Sequence, residues 1–191
     1  MPPKAKITKE NIIEASLKLI RIGGISMLNA RAIANELNCS TQPIFRHYAT
    51  MEEVKVDVIA KVGEYYNKYF DEHIKRQDVP PYKASGLTYI QFAEDEKEFF
   101  KLLFMRDRTG EQVQESDHSF DVAVKMIMTA TGLDYATANK IHLEMWIFAH
   151  GIATIIATSY LDLKDEMISE FLTDAYQGAV QLYKKGDKRG E

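Results

Sequence analysis

The chain has one cysteine, Cys39, in 191 residues. That excludes an intramolecular disulfide and fits a reducing, cytoplasmic location. Cys39 reads as a small packing residue rather than a redox sensor. Prolines are scarce, and the five present, Pro2, Pro3, Pro43, Pro80 and Pro81, leave the stretch from Thr50 to Arg76 free of any. No apolar run is long enough to span a bilayer. The longest uncharged stretch, Met145 to Leu161, contains His150, Gly151, Thr154, Thr158 and Ser159 and falls short of the ~20 apolar residues a span needs. It is better explained as a helix buried in a core or at a subunit interface. The opening MPPKAKITKE lacks the apolar centre of a signal peptide, so no membrane association is expected.

Sequence signatures of chemistry are also missing. There is no CxxC or HExxH, His142 and His150 are eight residues apart, and His118 lies elsewhere, so no metal site is expected. No GxSxG, phosphate-cradling glycine loop or Cys–His pairing suggests catalysis, and neither enzymatic activity nor a cofactor is expected. The Glu94-Asp95-Glu96 cluster reads as a solvated helix start rather than paired catalytic carboxylates. Period-two alternation and internal repeats are absent, which leaves helices.

What is present is an ordinary globular composition, 46% hydrophobic and 27% charged, with a net charge of -4. Its distribution is uneven. Residues 1–60 carry eight Lys or Arg against six acids, a net +2, while the remainder carries sixteen against twenty-two, a net -6. A small basic excess therefore sits at the N-terminal end, where it can steer a polyanion.

That end holds the organising stretch, Asn29 to Tyr48, NARAIANELNCSTQPIFRHY. Ala30, Ile33, Ala34 and Leu37 recur at helical spacing behind an Asn29 cap, and Asn38-Cys39 make a break. Ser40 is expected to cap a second, short helix with Pro43 in its first turn, where no interior hydrogen bond is lost. Ile44 and Tyr48 anchor that helix one turn apart, leaving Thr41, Gln42, Phe45, Arg46 and His47 outward. This is a helix-turn-helix pattern, with a second helix equipped to enter a major groove. Thr8 caps a preceding helix whose apolar stripe of Ile12, Ile13, Ser16, Leu17, Leu19 and Ile20 ends at Gly23-Gly24. Thr50 with Glu53 forms a capping box for a fourth helix reaching about Arg76, some 39 Å at 1.5 Å per residue.

Ile33-Ala34, Ser40 and Phe45-Arg46-His47-Tyr48 resemble, in order and spacing over residues 8 to 60, the tetracycline-repressor family. Two positions depart from its pattern. Phe45 stands where the family usually has a tyrosine whose hydroxyl touches phosphate, and Met51 where a phosphate-contacting lysine usually opens the next helix. Both weaken backbone anchoring rather than base reading. Trp146, His150 and Gly151, a W-x-x-x-H-G constellation with His142 one turn earlier in phase, look like the C-terminal domain of one branch of that family.

The expected architecture is all-α with about nine helices: an arm and helix-turn-helix DNA-binding domain over residues 1–49, and a larger effector-binding and dimerisation domain over 50–191. Helix 50–76 links the two. The expected DNA-contacting set is Lys4, Lys6, Asn29, Ser40, Thr41, Gln42, Phe45, Arg46, His47 and Thr50, with Arg46 able to take guanine and Gln42 adenine. Tyr66, Phe100, Phe104, Met105, Met126, Trp146 and His150 are expected around an apolar or aromatic ligand. The alternative for Trp146 and His150 is a core tryptophan and a hydrogen-bonded core or interface histidine. In the last helices Ala149, Ala153, Ala157, Ile168, Leu172, Ala175, Ala179 and Leu182 are expected to form a dimer interface, or to pack inside one subunit. The function implied is a ligand-responsive homodimeric transcriptional regulator, a repressor released from a palindromic operator by a small molecule. The rival is a helical protein- or ligand-binding module that has lost specific DNA binding.

Overall fold

The computed structural model describes residues 7–109 and 118–186. Among them are nine α-helices, one 3-10 turn and no strand, as the patterning requires. The contacts divide the chain into two units, Met1–Tyr66 with Glu96–Asp107, and Asn67–Asp95 with Arg108–Glu191. The boundary expected at residue 49 thus falls inside the first unit, which also recruits a helix from the middle of the chain.

In the first unit α1 (Lys9–Gly23) opens on the expected Thr8 cap, with Asn11 completing a reciprocal capping box. It closes at Gly24, whose φ of 72° favours glycine. The 3-10 turn Ile25–Met27 leads to α2 (Ala30–Glu36), capped by Asn29 through Ala32 N–H at 2.9 Å. Asn38 then takes a left-handed φ of 51°, and the amides of Asn38 and Cys39 donate to Asn35 and Ala34 carbonyls. This is a Schellman closure, with asparagine in the place glycine usually fills. The next helix, α3 (Gln42–His47), starts later than expected: Thr41, not Ser40, is its N-cap, and no side chain caps it. Pro43 in the first turn supplies the helical φ that a side-chain cap does not.

Helix α4 (Met51–His73) is about 35 Å long at 1.5 Å per residue, three residues shorter than the expected end near Arg76. Thr50 accepts from Glu53 N–H, while the Glu53 carboxylate reaches back to Ala49 N–H. The expected box is therefore offset by one residue. Ile12, Ile20, Ile33, Ile44, Val54, Val58 and Val62 are fully buried.

The recruited helix is α6 (Lys97–Phe104), packed on α1. Its N-cap Glu96 takes Arg21 bidentately at 2.9 and 2.7 Å and accepts Tyr65 Oη at 2.9 Å. The Arg21 guanidinium also lies 4.7 Å over the Phe99 ring. Glu96 is thus no solvated carboxylate, as expected from its cluster, but the junction of three helices, and its hydrogen bonds raise the Arg21 pKa further. A Cβ at Gly24 would meet only the tip of the Glu98 side chain, which can turn aside, so the positive φ is what favours glycine there.

The second unit holds the end of α4 with α5 (Pro81–Asp95), α7 (His118–Thr131), α8 (Tyr135–Ala157) and α9 (Asp165–Gly186). From the sequence, Asp134 and Asp165 each read as the cap of a helix; Asp134 caps α8, bonding Thr137 N–H at 3.0 Å, whereas Asp165 is the first residue of α9 rather than its cap. Helix α8 is central, with α5, α7 and α9 against it. Tyr69 donates to Asp95 at 2.6 Å, a second use of the acidic cluster. Gly110–Asp117, a stretch whose polar sequence reads as a loop, lies outside the described residues.

Candidate functional site

On α3 the two expected anchors are buried, Ile44 at 0% and Tyr48 at 3% exposure. The Tyr48 hydroxyl donates to Asp57 on α4 at 2.9 Å, and Lys9 sits 4.5 Å over its ring. A six-residue helix has too few internal hydrogen bonds to persist alone, so these contacts set its angle. They leave Gln42, Phe45 and Arg46 exposed and Thr41 half-buried. Arg46 makes no ion pair among the described residues, so its fork of donors is unspent.

Around this face the other expected DNA contacts fare differently. His47 Nε2 lies 2.9 Å from the Ile7 carbonyl, so one ring nitrogen holds the chain just before α1. Asn29 uses its carbonyl oxygen on Ala32 and its amide on the Met27 carbonyl, which commits it to the cap. Ser40 and Thr50 are exposed. Lys4 and Lys6 lie outside the described residues.

In the second unit two tyrosine–histidine pairs join α5 to α8. Tyr82 Oη is 3.0 Å from His142 Nδ1 and Tyr89 Oη 2.9 Å from His150 Nδ1. Sequence reading named both histidines and missed their tyrosines, which sit seven residues apart on α5, two helical turns and so one face. Trp146 stacks on His150 at 5.2 Å and 15°, which i,i+4 spacing on one helix permits. Phe120 meets His142 edge-on at 4.2 Å. The hydroxyls of Tyr176 and Thr154 are buried and have no hydrogen-bond partner among the described residues, an arrangement that costs free energy where no partner is supplied.

Burial of His142, 7% exposed, holds its pKa down at about 4 against 6.5. The unfolded chain therefore binds the extra proton first, so this contribution to stability is whole above pH 6.5 and lost as pH falls towards 4. Across the window the loss amounts to about 3 kcal/mol. His142→Gln, which keeps an acceptor for Tyr82, should flatten the pH dependence of urea unfolding by that amount. Parallel curves for the two proteins would remove His142 as the cause.

Of the residues expected around a ligand, Tyr66, Phe100, Phe104 and Met105 belong to the first unit and Met126, Trp146 and His150 to the second. Tyr66 and Phe100 are buried, Phe104, Met126, Trp146 and His150 are intermediate, and Met105 is exposed. Of the expected dimer residues, Ala149, Ala153, Ala157, Ile168 and Leu172 are buried within the single chain, which is the intrasubunit alternative for those five. Leu172 lies where a Cβ on Gly86 of α5 would touch it at 3.5 Å. Ala175 and Ala179 are half-buried and Leu182 is exposed. Among the described residues no group of three His, Cys, Asp or Glu could hold a metal ion, and no helix is long and apolar enough to cross a membrane.

A helix-turn-helix with its short second helix presented outward, followed by a larger all-helical unit, is the fold of a class of transcriptional regulators. Residues 82–176 match the family model of the tetracyclin repressor-like C-terminal domain. The chain belongs to the tetracycline-repressor family. Its fold is similar to that of a protein of unknown function from Rhodococcus sp. RHA1, with TM-score 0.71, 19% identity, and coverage of 95% of this chain and 98% of that one. It is also similar to a TetR-like transcriptional regulator from Rhodococcus sp. RHA1 (0.64, 12%, 93% and 97%). The multidrug binding protein EbrR complexed with imidazole shares the fold too (0.54, 15%, 87% and 93%). Comparison with curated proteins gives no match.

Proposed function

We propose that this protein is a cytoplasmic, homodimeric transcriptional repressor that leaves a palindromic operator when a small molecule binds its second unit. The observation that carries the reading is the face of α3, where buried Ile44 and Tyr48 hold exposed Gln42 and Arg46 with no competing partner for Arg46. Thr41, Gln42 and Arg46 read base edges, while His47, Ser40, Thr50, Lys4 and Lys6 serve the phosphates.

A palindrome needs two reading heads, hence two copies. The surface we assign to pairing lies on the expected helices and keeps only Leu182 of the expected residues: Leu143 and Ile147 on α8, with Met167, Phe171 and Leu182 on α9, are 39–65% exposed. Gly151 and Gly178 interrupt these stripes where an added Cβ would meet nothing, so backbone of a second copy can come close.

The effector is an apolar or aromatic molecule with a hydrogen-bonding group. Trp146 and His150 offer the flat surface, and the orphaned hydroxyls of Thr154 and Tyr176 are candidates for the polar contact. Helix α4 has residues in both units, and release follows if the effector binds the DNA-incompetent state more tightly.

Selection from random duplexes at low salt, with sequencing of what is retained, tests the reading. A two-fold symmetric motif is expected; retention without a motif favours the rival binding module. Arg46→Ala should then cost about 1–3 kcal/mol and relax one operator position. A uniform loss across sequences would assign Arg46 to phosphate instead.

A further inference from the structure

Phe45 is an anomaly on the proposed reading face. It is 49% exposed, on a six-residue helix whose apolar anchors, Ile44 and the C-cap Tyr48, are already buried. It lies three residues from Gln42 and beside Arg46, both exposed, so it shares the presented side of α3. Its ring has no hydrogen-bonding group and cannot hold a phosphate oxygen. An apolar ring left in water is stabilised only if something apolar covers it when the helix docks. In a major groove the apolar feature of the base edges is the C5-methyl group of thymine.

We propose that Phe45 determines operator specificity by packing its ring on a thymine 5-methyl in each half-site. This rests on the DNA-binding function proposed above and adds a base to the sites that Gln42 and Arg46 read. The loss of a phosphate-anchoring hydroxyl at this position is then an exchange: sequence-independent affinity is given up for discrimination of one base pair.

The test replaces thymine by deoxyuridine, which removes only the 5-methyl, at each thymine of the selected motif in turn. Affinities are measured for the full-length protein and for Phe45→Ala, a change at an exposed position that leaves the buried anchors in place. For the unsubstituted protein one symmetry-related pair of thymines should show weaker binding, by about fourfold per half-site, the factor expected for burying one methyl. In Phe45→Ala that ratio should fall to about one, while Gln42→Ala weakens binding and keeps the ratio. Equal affinity for thymine and uracil at every position, or a ratio unchanged in Phe45→Ala, overturns the assignment while leaving DNA binding intact. Failure of the unsubstituted protein to retain any motif removes the DNA-binding reading itself and this inference with it.

Discussion

Phe100→Ala is expected to lower the free energy of unfolding by about 3–5 kcal/mol, the cost of a large ring removed from a closed core. Phe100 is 0% exposed. Its ring centroid lies 5.2 Å from Phe104, which in turn meets Tyr66 edge-on at 5.1 Å. All three belong to the first unit, so the cavity would open beneath the α6 helix that Arg21 and Glu96 fasten to α1. Urea unfolding followed by the loss of helical circular dichroism measures the change, and the slope of the transition shows whether the native state has loosened. A loss under about 1 kcal/mol would return Phe100 to the ligand-lining set expected from the sequence, because a side chain bordering an open site forfeits fewer contacts.

Ile147→Glu is expected to convert the proposed dimer to monomer without unfolding it. At 59% exposure in the single chain, Ile147 contributes little to the subunit core, and a glutamate there is solvated in the monomer. In a two-fold interface the change occurs twice, each copy burying a charge at about 2–4 kcal/mol, so the dissociation constant should rise by about three to six powers of ten. Sedimentation velocity at micromolar concentration separates the outcomes. A Leu182→Glu companion on α9, 65% exposed, should behave alike if both helices form the face. A variant that remains dimeric would place the pairing surface elsewhere, and monomeric unsubstituted protein would dispose of the dimer.

Much of the fold was legible because it depends on neighbours in sequence. Thr8, Asn29 and Asp134 were recognisable as caps because a short polar side chain before an apolar period has one local use, to accept from an amide three residues on. Ser40 failed as a cap for an equally local reason: Thr41 follows it, and with two candidate residues in succession the pattern does not choose between them. The exposed face of α3 was readable because two buried anchors one turn apart define the opposite side of a helix.

Other features depend on residues far apart. Arg21 and Glu96 are separated by 75 positions, Tyr82 and His142 by 60, Tyr89 and His150 by 61. Nothing in local periodicity pairs them, so the acidic cluster read as a solvated start and the histidines as alternatives between ligand and core. Helix α8 shows a different limit. With buried Ala149, Ile152 and Ala153 and exposed Leu143, Ile147 and Phe148, it is apolar on opposed sides, and an apolar residue carries no mark of which neighbour will cover it. Ala149, Ala153 and Ala157, expected to receive a second copy, are buried within the single chain. By itself the sequence determined the helices, several of their caps and the presented face of α3, because hydrogen bonding and amphipathic period act within a few residues. The tertiary structure alone decided that α6 joins the N-terminal unit, which tyrosines meet the histidines and which side of α8 stays open, because those outcomes depend on which distant surfaces exclude water together.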